Sequence, residues 1–449
     1  MKMLYSQIPQ ELNDEIIGFL WDDKVALKAC ALTCQSFLPA SQKQLFSDIS
    51  IFLSSHRAPT RESTGTHLRR LLEATPYLAE YVHRLEIHDL SRPCHTEEWL
   101  TYDRDLIYCL RHLRNLTALK IRCRDGKFEA QRWNHIRHGG LLEALLETLK
   151  LPTLTSLDFD CLPFSLVSQC SILKQLTIRS PDADLVIDNA LPFSESVHPE
   201  SLRLDLREPS DTSRKSERPT NWGDEIRRSP IDLTAVKALT IVTTAREWEE
   251  QCGAWPALKA SASTLETLAL EIEASPGMFM LDTPFNAYQA VQDPLDWSTL
   301  KALRVLHARV TVVAAQGQWG LGFCNLLPWV AGLLRELTSS GPSDVEELVI
   351  QVNYKFLDNR MVPVLLPWKG LLSLVCEQAR FPRLQRTRVM IASESKLPFQ
   401  CTGIVQQIAR YSRAMGDGRH ERVSISISDK CFTTMIRLRF PWNNLTTRM

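Results

Sequence analysis

One short apolar pattern recurs along most of this chain and limits the folds open to it. In each copy an apolar residue is followed by two residues of any type, a second apolar residue, one residue of any type and a third apolar residue. The copies are Leu116-x-x-Leu119-x-Ile121, Leu154-x-x-Leu157-x-Phe159, Leu173-x-x-Leu176-x-Ile178, Val236-x-x-Leu239-x-Ile241, Leu265-x-x-Leu268-x-Leu270, Leu300-x-x-Leu303-x-Val305 and Val345-x-x-Leu348-x-Ile350. Because 44% of the residues are apolar, about 38 such triplets would arise by chance. The number of copies therefore proves nothing, and their context has to decide.

The context of the copies favours a repeated strand. Several copies follow a Ser-x or Pro-x dipeptide, as in Pro152-Thr153-Leu154, Ser263-Thr264-Leu265, Ser298-Thr299-Leu300 and the partial copy Pro382-Arg383-Leu384. Helical stretches lie between them; in residues 141–149, Leu142, Leu145 and Leu149 share one face. An order of strand, helix and strand predicts an α/β fold with a parallel sheet curved into a solenoid.

The triplet is the strand signature of leucine-rich repeats, whose period is about 20–29 residues. The spacing here is irregular, because the steps from Leu119 through the central residues of the later copies are 38, 19, 63, 29, 35 and 45. The longest step contains a candidate additional strand at residues 202–206. The Asn or Cys that ends a regular repeat's strand motif is missing. We therefore expect a divergent, irregular leucine-rich-repeat-like solenoid, with an ordinary α/β sheet as the alternative.

Residues 8–46 predict three short helices. Pro9 fits the first turn of a helix, and Ile8, Leu12, Ile16 and Leu20 recur every four residues. Asp22 or Asp23 can cap a second helix, residues 36–39 end it, and a third helix carries Leu45 and Phe46. About forty residues cannot build a self-sufficient core. These helices either cover the end of a larger domain or form a docking module for another protein.

The segment resembles an F-box. The family pattern stands here as Ile8-Pro9-Gln10-Glu11-Leu12, then Ile16-Ile17-Gly18-Phe19-Leu20, then Thr33-Cys34-Gln35-Ser36-Phe37-Leu38. Its order is similar to the F-box-like proteins that are abundant in mushroom-forming fungi. The sequence departs from the family pattern at Ile8, which replaces Leu, at Gln35, which replaces a basic residue, and at Phe37, which replaces Trp.

The resemblance implies that these helices bind the Skp adaptor of a cullin-based (SCF) ubiquitin ligase. The residues that would divide between the module's own core and the adaptor interface are Ile8, Pro9, Leu12, Ile16, Leu20, Leu27 and Phe37. Pro9 and Leu12 are the first choices for the interface, because they lie at the start of the first helix.

We divide the chain into three parts. Residues 1–48 form the F-box-like domain, residues 49–80 a linker and first connecting segment, and residues 81–449 the leucine-rich-repeat-like domain. A polar insertion is expected at 208–230, a last amphipathic helix over Ile404–Tyr411 and a terminal strand over Val423–Ile427.

Charge and cysteine usage point to an ordinary folded protein of a reducing compartment. Lys and Arg total 52, as do Asp and Glu, so no overall field draws the chain to nucleic acid or to anionic lipid. The apolar run at 321–334 is too short to span a membrane and predicts a buried helix. Twelve cysteines occur without any Cys-x-x-Cys, which indicates a cytoplasmic or nuclear location and no zinc ribbon.

No catalytic motif stands out, and neither a cofactor nor a metal site is expected. Asp158 and Asp160 flank Phe159, so both carboxylates should lie on the exposed face of a strand, either as contacts for a protein client or as solvated acids without a partner role. Trp222 in the polar insertion is a second candidate contact. We expect a non-enzymatic substrate receptor of a ubiquitin ligase that binds the Skp adaptor and an unknown protein client. The alternatives are a repeat scaffold or sensor without ligase recruitment, and an enzyme with an unfamiliar site.

Overall fold

A computed structural model describes fourteen parts of the chain, in which helices alternate with parallel strands. These parts are residues 9–53, 64–89, 104–123, 140–160, 164–179, 196–207, 229–244, 255–274, 297–314, 326–356, 371, 374–375, 379–393 and 423–429. The described residues fall into two compact units, one made of residues 9–199 and 229–231 and the other of residues 200–207 and 232–429.

The first unit carries six helices and five strands among its described residues. The helices are α1 (Gln10–Gly18), α2 (Lys24–Thr33), α3 (Leu38–Ser47), α4 (Thr64–Ala74), α5 (Arg104–His112) and α6 (Gly140–Leu149). The strands are β1 (Asp48–Leu53), β2 (Arg84–Asp89), β3 (Ala118–Cys123), β4 (Ser156–Asp160) and β5 (Gln175–Arg179). They pair in chain order and in parallel. Short 3₁₀ helices cover Pro76–Tyr81 and Phe164–Gln169.

The pairing register of the first unit confirms the apolar rows of the repeated pattern. Leu85, Leu119, Leu157 and Leu176 align across β2 to β5, and Ile87, Ile121, Phe159 and Ile178 form the next inward row. These rows face a layer in which α5 packs against α4 and α6. Leu106 and Leu110 of α5 and Leu145 and Leu149 of α6 are buried in that layer. The core of the unit therefore lies between one face of the sheet and the helices.

Backbone hydrogen bonds join neighbouring strands at the point where each strand begins. The carbonyl of His83 accepts hydrogen bonds from the backbone N–H groups of Thr117 and Ala118, at 2.8 and 3.1 Å, and the same arrangement repeats at later strands. The Thr153 hydroxyl donates to the Leu116 carbonyl at 2.8 Å, and the Thr264 hydroxyl donates to the Val236 carbonyl at 3.0 Å. The threonine that follows Pro or Ser just before a copy of the apolar pattern thus gives a hydrogen-bond partner to a carbonyl that precedes the neighbouring strand.

The second unit has seven described strands and two described helices. The strands are β6 (Ser201–Asp205), β7 (Ala238–Thr244), β8 (Thr267–Ala274), β9 (Val305–Ala314), β10 (Glu347–Phe356), β11 (Arg386–Ser393) and β12 (Val423–Asp429). The helices are α7 (Trp255–Ser261) and α8 (Leu326–Leu337), and short 3₁₀ helices cover Leu233–Ala235 and Trp297–Thr299. All six neighbouring pairs are parallel. The additional strand expected at 202–206, the buried helix expected within 321–334 and the terminal strand are confirmed where they are described.

One copy of the repeated pattern was placed in the wrong frame. Leu306 pairs with Leu268 of β8 and with Leu348 of β10, so Leu306, and not Leu303, is the first inward residue of β9. Leu303 and Leu300 come before the strand and are buried there. The copy at Leu300 is therefore shifted by three residues, which the apolar triplet alone does not reveal.

The segment expected as a linker at 49–80 supplies structure to the first unit. β1 follows α3 directly and pairs with β2 over its whole length. α4 contacts both β1 and the 3₁₀ helix Pro76–Tyr81. The expected polar insertion lies outside the described residues except for Ser229 and Pro230, as does the expected helix over Ile404–Tyr411.

Candidate protein-docking surfaces

The three N-terminal helices share a very small core. Ile17 of α1, Leu27 of α2 and Ala40 of α3 are its buried members, and Leu20, Cys30, Phe37 and Leu45 pack partly buried around them. α3 also packs on the 3₁₀ helix Pro76–Tyr81 and on β1. The helices are thus supported by the first unit, because their own core is too small to hold them together alone.

Local hydrogen bonds fix where these helices begin. The Asp23 carboxylate accepts from the backbone N–H groups of Val25 and Ala26, at 3.0 and 2.9 Å, and so caps α2. The Gln10 side chain donates to the Ser36 carbonyl at 2.9 Å, which ties the start of α1 to the turn before α3. The three-helix prediction, including the cap at Asp23, is confirmed.

Two stripes of apolar side chains on these helices face solvent. Leu12, Ile16 and Phe19 follow one another at helical spacing along α1, and Val25 and Leu32 lie seven residues apart on α2, so each set shares one side of its helix. Phe19, Trp21, Val25 and Leu32 are each more than two-thirds exposed. We call the five side chains of the stripes together with Trp21 the apolar helix face. Exposed clusters of large apolar residues are typical of protein–protein contact sites.

The seven residues proposed to bind an adaptor differ in how far they are exposed to solvent. Pro9, Leu12 and Ile16 are exposed and available for contact, whereas Leu20 and Phe37 are partly buried against the helix core. Leu27 is fully buried and packs between the helices, so it belongs to the module's own core. Ile8 lies outside the described residues.

Sequence reasoning missed part of the exposed face. Trp21, Val25 and Leu32 were not among the candidates, although Val25, Ala29 and Leu32 follow the spacing of one helical side. That spacing is the signal that would have identified them. It was overlooked because Leu27 and Ala31 mark a second apolar side of the same helix.

A network of ion pairs covers the outward face of the first unit's sheet. Asp158 accepts hydrogen bonds from Arg122 on β3, at 3.0 Å, and from Arg179 on β5, at 3.1 Å. Asp160 lies 3.9 Å from Arg122 and 4.0 Å from Arg179. Lys120 and Arg122 also pair with Glu86 on β2. Burial acts to raise the pKa of Glu86, but Lys120, His88 and Arg122 outweigh it and hold that pKa below its ordinary value.

Asp158 lies on the outward face with Phe159 buried on the other side, as the sequence predicted, but the expectation of an exposed Asp160 is corrected, because that residue is buried. Three basic side chains (Lys120, Arg122 and Arg179) balance three acidic ones (Glu86, Asp158 and Asp160). Because each carboxylate already has cationic neighbours, a client would compete with existing pairs. The proposed client contacts remain a prediction, and Trp222 lies outside the described residues.

A shallow groove of about 560 Å³ runs along the start of β1 to β5 on the same face. Its lining includes Ser50, Arg84, Glu86, Lys120, Asp158 and Lys174. Arg84 lies 3.6 Å from Asp48, and the remaining acids belong to the network above. Opposite charges thus alternate along the groove.

The outward face of the second unit's sheet is also charged, but its pairing is uneven. Arg203 on β6 donates two hydrogen bonds to Glu271 on β8, at 3.1 and 3.0 Å, and so passes over the intervening strand β7. Arg309 on β9 also approaches Glu271, at 3.6 Å. Arg207 is held by Asp205 and Glu273, and these hydrogen bonds raise its pKa above its already high ordinary value despite burial.

His307 occupies the middle of this face. In the pairing register it lies between Ala269 on β8 and Val349 on β10. Burial lowers the pKa of its imidazole; Glu347 and Glu271 act to raise that pKa, while Arg388 lowers it further. The net pKa falls below the ordinary value, so the side chain is neutral at physiological pH.

In the part of the chain described here, no group of three His, Cys, Asp or Glu side chains is placed to hold a metal ion. Within the same residues, no helix has both the length and the apolar character required to cross a bilayer. Comparison with known proteins gives no further guidance, because no family model matches the chain and no curated protein matches it either.

Proposed function

We propose that this protein is a substrate receptor of an SCF-type ubiquitin ligase. The N-terminal helices would bind the Skp adaptor, and the strand faces of the two units would hold a protein client. The observation that supports this most directly is the apolar helix face. Phe19, Trp21 and Leu32 expose large apolar surfaces to water, and a bound partner would bury them. The resemblance of residues 8–38 to an F-box supplies the identity of that partner.

The receptor would act by proximity. A client held on the solenoid and a conjugating enzyme held by the ligase become parts of one assembly, which raises the effective concentration of client lysines at the reacting thioester. The protein itself would supply no catalytic group. α3 runs into β1 without an intervening loop, so the helices and the first unit's sheet would be carried as one body.

A pull-down with the purified Skp adaptor tests the proposal on the full chain. Leu12 and Ile16 are 48% and 49% exposed, so Leu12→Glu/Ile16→Glu should abolish adaptor retention without unfolding the helices. Ile172→Glu is the matched control, since Ile172 is 44% exposed and lies outside the three helices. Point variants are preferable to removing residues 1–48, because the deletion would uncover the surface on which α3 packs.

Retention of wild type and of Ile172→Glu, with loss in the double variant, would support the receptor. Failure of the folded wild-type chain to retain the adaptor at micromolar concentration would contradict it. The alternative, a repeat scaffold that binds a protein without recruiting a ligase, would then be favoured.

A further inference from the structure

Arg309 on β9 and Arg386 and Arg388 on β11 lie on the outward face of the second unit's sheet. Glu347 lies 3.1 Å from Arg388 and 3.7 Å from Arg386, so one carboxylate serves two guanidinium groups. Arg309 lies on β9 opposite Gln351, four residues further along β10 than Glu347. We call Arg309, Arg386 and Arg388 the arginine cluster.

The charge of Arg309 is only weakly compensated. Its carboxylate neighbour, Glu271, lies 3.6 Å away and already receives two short hydrogen bonds from Arg203. Its other neighbour is the neutral side-chain amide of Asn353, 2.8 Å from Arg309 Nε. Arg203 and Arg309 thus share Glu271, while Arg386 and Arg388 share Glu347, so four arginines face two glutamates on this part of the sheet. The sheet face of the first unit differs, because its basic and acidic side chains balance.

The cluster is accessible and borders a row of uncharged side chains. The side chains of Arg309, Arg386 and Arg388 are 42%, 57% and 44% exposed. The register places Ala269, His307 and Val349 side by side in the row next to Arg309. Small or neutral side chains there leave room for an extended chain to lie against the strands, within reach of the guanidinium groups.

We propose that the arginine cluster binds an acidic segment of a protein client, with aspartate or glutamate carboxylates accepting hydrogen bonds from Arg309 and Arg388. A guanidinium matches a carboxylate in shape and can donate two parallel hydrogen bonds to it. The inference deepens the proposed function by naming the client's chemistry, and its place in ligation rests on that function. A nucleic acid fits less well, because Glu347 and Glu271 interrupt the positive charge.

Fluorescence anisotropy on the full-length protein tests the inference at low ionic strength, where charge attraction is least screened. The probe is a labelled peptide in which glutamate alternates with serine; glutamine–serine and lysine–serine peptides are its controls. The test variant is Arg309→Gln/Arg388→Gln. Arg111→Gln/Arg114→Gln removes the same charge from the first unit and is the matched control.

Of the three peptides, we expect only the glutamate–serine peptide to bind. The test variant should weaken it about tenfold and the control variant less than about twofold, since local charge pairs and not net charge would carry the binding. Glu347→Gln should tighten binding about two- to threefold, because it removes the competing carboxylate. This gain cannot result from misfolding.

Equal weakening by both arginine pairs, no binding by the folded protein, or a looser complex with Glu347→Gln would each overturn the inference. So would tighter binding of an oligothymidylate than of the glutamate peptide. The adaptor pull-down separates the two proposals: Arg309→Gln/Arg388→Gln should retain the adaptor normally. If wild type fails to bind the adaptor but the peptide results hold, the receptor function fails and the acidic-segment site stands.

Discussion

Leu12 and Leu27 are both apolar candidates for the adaptor interface, but they differ in how far they are exposed. Leu12 is about half exposed, whereas Leu27 is fully buried in the helix core. Leu27→Ala should lower the free energy of unfolding by about 2–3 kcal/mol, and Leu12→Ala by less than about 0.5 kcal/mol. Urea denaturation followed by circular dichroism measures both. Equal losses would show that the helices pack differently from the arrangement described above.

The imidazole of His307 gives the stability of the protein a predictable pH dependence. Its pKa in the folded chain is lowered by burial and by Arg388, although Glu347 and Glu271 oppose the shift. The unfolded chain then binds a proton more readily, so the stabilising contribution is complete above about pH 6.5 and is lost as the pH falls from there toward the lowered pKa. His307→Gln should therefore flatten the rise of unfolding free energy with pH between the lowered pKa and about pH 6.5. Urea titrations at several pH values test this, and an unchanged slope would contradict it.

At the scale of single elements, the cap of α2 can be tested with a neighbouring residue as control. The Asp23 carboxylate accepts two backbone hydrogen bonds, and Asp22 precedes it without making either. Asp23→Ala should cost about 1 kcal/mol of stability, and Asp22→Ala much less. Thermal unfolding of the two variants, compared side by side, gives the difference. A larger loss at Asp22 would place the start of the helix one residue earlier.

The ion-pair network of the first sheet makes a prediction that separates a structural from a client-binding role of Asp158. Asp158→Asn would leave Arg122 and Arg179 with a weaker acceptor at 3.0–3.1 Å and should lower the unfolding free energy by about 1–2 kcal/mol. A residue that acts only as a client contact would instead leave stability unchanged. Chemical denaturation of this variant therefore decides which role dominates.

The sequence predicted which residues of a strand face inward better than it predicted where the strands begin. Ile121 and Phe159 were assigned correctly, since alternation within a strand reports burial directly. The frame at β9 failed because Leu300 and Leu303 are apolar and buried outside the strand. β1 was missed because it follows α3 without a turn residue, and turn residues are the usual sign of a boundary.

The exposed apolar face was hidden from sequence reasoning for a related reason. α2 carries apolar residues on two sides, with Leu27 buried and Leu32 exposed. Periodicity identifies the sides but not which of them meets another part of the chain. The same limit applies to the arginine cluster, because Arg388 becomes a neighbour of Glu347, and Arg309 of Glu271, only through strand pairing.

For the whole molecule, the proposals assign different partners to different parts of the chain, and hydrogen–deuterium exchange can test this without any mutation. In the free protein, amides of α1 and α2 should exchange sooner than those of β2–β4 and β8–β10. Two fully buried side chains hold α1 and α2, whereas the central strands bury complete rows of apolar residues and are paired on both sides.

Each ligand should then protect its own region. Skp adaptor should slow exchange in α1 and α2, where binding would cover the apolar helix face and suppress local opening. The glutamate–serine peptide should instead slow exchange in β9–β11 and leave the helices unchanged. Protection by the adaptor that appears at β9–β11, or by the peptide that appears at α1 and α2, would mean that the two surfaces do not have the separate roles proposed for them. Protection in the expected places would tie each function to its own surface, since the measurement locates binding within a few residues.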